Sequence, residues 1–227
     1  MDVSNLVQTV AIYALPVLFA ITLHEAAHGY VARHFGDMTA YAQGRISLNP
    51  ARHVDLVGTI VVPIALLLTT GGKFSFGWAK PVPVNFSALR KPKHHMALVA
   101  AAGPAANLAM LLAWAILLKL GLELPRNSLS APLLSMAVGG VLINFVLMAF
   151  NLIPILPLDG GRIVAGVLPE VLERIYSKSE RLSSYLLGGF VIFGVLDSVL
   201  NNGALVSKVF RPMNLFADQL VRAIVNG

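Results

Sequence analysis

The chain contains no cysteine. That absence excludes disulfides and thiolate ligands, so any metal must be held by histidine and carboxylate groups. Charge is scarce as well: Asp, Glu, Lys and Arg make up 12% of the 227 residues, roughly half the share usual in soluble domains. Hydrophobic residues account for 56%, and mean hydropathy is +0.74. No long polar block remains from which a separate soluble domain could be built. The composition is that of a membrane protein, and one integrated domain over residues 1–227 is expected, with a core at about 6–165 and C-terminal helices at about 166–227.

Acidic residues are few, 11 against 17 basic ones, which leaves a formal charge of +6. Such an excess can signal nucleic acid, but here Lys and Arg fall in short connecting segments rather than along one face. They read as cytoplasmic anchors, and no nucleic-acid partner is expected. Residues 1–23 carry no Lys or Arg, so the first apolar run lacks the basic start of a signal peptide and is expected to be retained.

Five apolar segments stand out, at about Leu6 to Tyr30, Val54 to Thr70, Met96 to Leu120, Ala131 to Leu156 and Leu182 to Leu200. Four reach the roughly 20 residues a spanning helix needs, and the second is marginal. The expected fold is an all-α polytopic membrane protein with about five to six membrane segments. Between the first and third segments, the Gly- and Pro-containing stretch Arg33 to His95 alternates and is rich in β-branched residues. A small membrane-associated β-rich region is expected there. Residues 159–181 read as a short amphipathic helix followed by a basic turn.

The first apolar run ends in His24-Glu25-Ala26-Ala27-His28. A spacing of four puts both imidazoles on one helical face, one turn apart, where two nitrogens can share one ion. Glu25 stands beside them, where a carboxylate can take a proton from water. The alternative is a pair of histidines capping a helix at the water interface, with Glu25 a solvated flank. Ionisable groups inside an apolar helix are expensive and usually functional, which favours the metal.

Two histidines leave a catalytic zinc one protein ligand short. In "FNLIPILPLDGGR" the fourth apolar segment supplies a donor, Asp159, after Pro154 and Pro157 open the backbone and before Gly160 and Gly161 permit a tight turn. Taken alone, Asp-Gly-Gly is also a plain turn signature. His53 reads as an interfacial histidine, and Asp197 as either a helix-end residue or a functional one.

Three ordered motifs, His24-Glu25-x-x-His28, Gly103-Pro104-Ala105-Ala106-Asn107 and Asn151-Leu152-Ile153-Pro154 leading to Leu158-Asp159-Gly160, resemble the site-2 protease family of intramembrane zinc metalloproteases. The resemblance covers about residues 20–165. It implies one zinc ion held by His24, His28 and Asp159, with Glu25 as general base and Asn151 on the oxyanion. Gly103, Pro104, Asn107 and Pro154 would shape the core beside the site. The substrate it implies is a transmembrane helix of another membrane protein, cleaved within the bilayer in regulated intramembrane proteolysis. "SLNPARHVDLVGTI" and "GWAKPVPVN" look like the compact branch of the family. Only Gly121 to Ser130 separate the third and fourth segments, so no PDZ domain is expected between them, and the stretch after the last apolar segment is too short for an expected CBS pair.

Arg33, Arg45, Arg52, Arg90, Lys91 and Lys93 flank the region between the first and third segments and place that side in the cytoplasm, with the protein in the inner membrane. Residues 40–90 could hold an unwound substrate by adding a strand. The rivals to proteolysis are a metal-ion transporter and a non-catalytic membrane scaffold.

Overall fold

The computed structural model describes residues 3–125 and 130–226. Of the expected connection Gly121 to Ser130, residues 126–129 lie outside the described ones. Four helices are long and apolar enough to cross a membrane. They are α1 (Val3–His34, qualifying over Val10–His34), α4 (Pro92–Glu123), α5 (Ser130–Asn151) and α8 (Glu180–Leu200). Their outer faces carry large exposed side chains such as Leu112, Ile116, Leu186 and Ile192. In water such faces would be a liability, whereas lipid solvates them.

α4 lies at the centre, packed against α1, α5 and the short α6 (Asp159–Val167). One apolar cluster joins Leu111 of α4 to Val141 and Phe145 of α5 and to Ala217 of α9 (Ala204–Asn226). A second joins Ala32 of α1, Leu89 and Val99 at the other end of α4.

The β-rich layer expected between the first and third apolar segments does not form: no strand occurs among the described residues. Short polar side chains there start turns instead of leaving the backbone to a ladder. Asn49 accepts from Ala51 N at 3.0 Å, Asp55 from Gly58 N at 2.6 Å and Asn85 from Ser87 N at 3.2 Å. The region comprises α2 (Thr39–Ala42), a π-helical turn Leu56–Val61, α3 (Val62–Thr69) and extended loops. The apolar segment at Val54 to Thr70 becomes the continuous pair Leu56–Thr69. At 1.5 Å per residue that pair is about 21 Å long, short of the roughly 30 Å hydrocarbon core.

One further expectation is corrected. Residues 159–181 form two helices, α6 and α7 (Glu170–Ser177), because Pro169 forces an extended residue before it and ends the first. Asp197, by contrast, is a helix-end residue, one of the two readings the sequence allowed, in the last turn of α8. It is buried in α8 and accepts from Leu205 N at 3.0 Å and Val206 N at 2.8 Å, thereby capping the start of α9.

Candidate metal centre

α1 delivers His24 and His28 to the face that α4 covers, and both imidazoles are buried. The rings are 4.8 Å apart and nearly perpendicular. What lets α4 approach so closely is Gly103. A Cβ at that position would lie 2.6 Å from His24 Nε2 and closer still to His28 Nε2. Pro104 follows directly and breaks the helical ladder beside this contact.

Each ring is fixed through its outer nitrogen. His28 Nδ1 lies 2.7 Å from the carbonyl oxygen of Val99 and donates to it, since a carbonyl only accepts. His24 Nδ1 lies 2.6 Å from Asn107 Oδ1. Asn107 Nδ2 donates to Asn144 Oδ1 at 2.9 Å and to Ala20 O at 3.3 Å, and Asn144 Nδ2 donates to Gly140 O at 2.8 Å. Both asparagines are fully buried. A backbone carbonyl at the far end of this relay sets its polarity: every amide nitrogen points away from His24, and His24 Nδ1 carries the proton. In both rings Nε2 is therefore the bare nitrogen, the state a metal requires.

The third group arrives on α6. Gly160 and Gly161 press against the carbonyls of Leu152, Ile153 and Ile155, where no side chain would fit, and the tight turn places Asp159 at the first position of the helix. Asp159 Oδ2 stands 3.2 Å from His24 Nε2 and 3.4 Å from His28 Nε2, and the two Nε2 atoms are 3.2 Å apart. Asp159 Oδ2 is buried and has no hydrogen-bond donor. Three acceptor atoms thus converge with nothing between them. A proton on either imidazole would serve one edge of the triangle, whereas a cation serves all three. Zinc bonds of 2.0–2.2 Å in a tetrahedron imply ligand–ligand edges of about 3.3–3.5 Å, so the edges present fit that ion.

The other predicted residues make contacts of their own. Glu25 is half-buried, and its Oε2 accepts from the backbone N–H of Val82 at 2.7 Å. Asn151 ends α5 and donates to Leu147 O of its own helix at 2.9 Å, with no hydrogen bond to the triangle. Pro154 contributes its carbonyl to Tyr176 Oη at 2.9 Å. His53 is fully buried rather than interfacial, because the loops fold over it and Ser47 O sits 2.7 Å from its Nε2. Sequence reasoning missed Asn144, although an asparagine within a 22-residue apolar helix is itself a signal. It also missed Arg45 and Val82, whose contacts join segments far apart in the chain.

Residues 122–195 match the family described as peptidase family M50. "Putative zinc metalloprotease YwhC" of Bacillus subtilis is 38% identical over 215 residues, covering 88% of this chain and 92% of that protein. The chain belongs to peptidase family M50. "Putative zinc metalloprotease Rip2" of Mycobacterium tuberculosis is 29% identical over 143 residues, 63% of this chain and 52% of its own length. No solved structure matches the chain. Membership of M50 makes the protein a zinc metalloendopeptidase, and its four apolar helices make it a multi-pass membrane protein.

Proposed function

We propose that this M50 protein hydrolyses peptide bonds within transmembrane segments of other membrane proteins, and that His24, His28 and Asp159 hold its single zinc ion. The observation that carries the reading is the triangle of three bare acceptors, with edges of 3.2, 3.2 and 3.4 Å, on helices otherwise fit to lie in lipid. Zinc supplies Lewis acidity there, which makes water a nucleophile near neutral pH and polarises the scissile carbonyl.

The chain's own residues do the rest. Glu25, next in sequence to one ligand, takes the proton from the attacking water through Oε1, the oxygen not bonded to Val82 N, and hands it to the leaving amine. Asn151 serves the oxyanion once its amide turns from Leu147 O. Burial of His24 and His28 limits bulk water at the site and strengthens each of these interactions. The basic residues between α1 and α4 support an active site nearer the cytoplasmic side of the inner membrane. All of residues 1–227 serve this one activity, in regulated intramembrane proteolysis.

The test compares wild type with Glu25→Gln in detergent for zinc per chain and for cleavage of a panel of single-span helices. Zinc in both with cleavage only in wild type is the expected result. Zinc without cleavage in either would favour the transporter or scaffold, and no zinc in wild type would remove the ligand assignment.

A further inference from the structure

The segment Lys80–Val84 has no regular secondary structure, and Pro81 and Pro83 leave Val82 as the sole backbone donor between them. That donor is spent on Glu25 Oε2 at 2.7 Å. Three contacts hold it in place. Arg45 Nη2 donates to Lys80 O at 2.9 Å and Pro81 O at 3.2 Å, and Lys80 N donates to His53 O at 2.9 Å. The Val82 side chain is buried against α1 at Gly29, where a Cβ would come within 3.2 Å of Val82 Cγ1 and 3.0 Å of Ile46 Cγ1. The segment has no N–H at 81 or 83 to donate to an added strand. Its fixed product is one amide aimed at one carboxylate oxygen.

We propose that the Val82 amide, held by Arg45 and by Gly29 of α1, is the positioning group of the general base: it anchors Glu25 Oε2 so that Oε1 alone is presented to the attacking water. Resting on the reading of Glu25 as that base, the assignment makes Arg45 and Val82 positioning residues that act through Glu25 rather than on zinc or substrate. A carboxylate on a free side chain samples several rotamers, and each departure from the reactive geometry slows proton transfer. An amide donor to a charged acceptor is strong enough to select one.

The contact is tested without reference to cleavage by hydrogen–deuterium exchange on the full zinc-loaded chain in detergent, since Pro81 and Pro83 add no amide to peptide 80–84. Glu25→Ala and Arg45→Ala should each speed exchange in that peptide by about tenfold or more, with zinc per chain unchanged. Unaltered exchange in both overturns the proposal. For catalysis, Val82→Pro removes the donor, whereas Val82→Ala keeps the donor and loses only the side chain. With a single-span helix that wild type cleaves as probe, Val82→Pro should lower kcat about 10- to 100-fold at unchanged KM and zinc content. Val82→Ala, which keeps the donor and loses only the packing on Gly29, should lose clearly less. Equal losses in the two variants, or zinc lost with activity in Val82→Pro, overturn the proposal. Should Val82→Pro not fold, Arg45→Ala against Arg45→Lys takes its place, with kcat expected to fall in the first and to be partly restored in the second; equal kcat in both overturns the proposal. A wild type that cleaves no helix defeats the reading of Glu25 as a base, and exchange still decides whether the contact exists.

Discussion

Replacing Asn144 by leucine should weaken zinc binding although Asn144 touches no predicted ligand. In the native relay Asn144 Oδ1 accepts from Asn107 Nδ2 at 2.9 Å, which keeps Asn107 Oδ1 turned toward His24 Nδ1 at 2.6 Å. Leucine keeps the branched outline of the side chain and removes that acceptor. Asn107 is then held only by its 3.3 Å bond to Ala20 O and is free to turn its amide nitrogen toward His24. An amide nitrogen donates, so His24 Nδ1 must accept and the proton moves to Nε2, the atom that faces the metal. The polarity lost rests on one fully buried hydrogen bond, about 1–3 kcal/mol. That corresponds to roughly 10- to 100-fold in zinc affinity, the range expected for losing an outer-shell partner. The assay is competition with a chelator of known affinity on purified protein in detergent. Asn144→Asp, which keeps an acceptor for Asn107, should lose less than Asn144→Leu. Zinc held as tightly by Asn144→Leu as by wild type would refute the argument that the relay selects the tautomer.

Two further predictions follow from the same contacts. Gly103→Ala places a methyl within 2.6 Å of His24 Nε2 and should abolish stoichiometric zinc binding, read by metal analysis of the purified variant. Asp37 is fully buried; burial itself raises its pKa, but the Thr39 side chain and the amides of Thr39 at 2.9 Å and Asn85 at 2.7 Å outweigh this and hold it below its ordinary value. A depressed carboxylate stabilises the fold above its unfolded pKa and loses that contribution as pH falls through the folded value. Thermal stability should therefore drop on acidification below about pH 4, and Asp37→Asn should flatten that drop while lowering stability at neutral pH.

The parts of this protein that repeat at helical spacing were readable from sequence. His24 and His28 share a face because they are four apart on an apolar helix, and Asp159 drew notice as a carboxylate at the end of a later apolar run, just before a Gly-Gly turn. Four of the five apolar segments are helices of spanning length. What failed was the region from residue 33 to 95. There alternation suggested strands, but Asn49, Asp55 and Asn85 spend their side chains on neighbouring amides and turn the chain instead. Asp37 then pins its two ends together through Asn85 N. Contacts between distant segments leave no local pattern, which is why Arg45 and Val82 were silent. Asn144 was not silent, since a polar residue within an apolar helix needs a partner, but its partner Asn107 is 37 positions away.

Zinc K-edge X-ray absorption on the purified protein, with Asp159→Ala beside it, tests the centre most directly. The account predicts one zinc per chain with about four N/O neighbours at roughly 2.0–2.1 Å, the multiple-scattering signature of two imidazoles, no sulfur, and one protein ligand fewer in the variant. A sulfur shell, a single imidazole, or a spectrum unchanged by Asp159→Ala would contradict it.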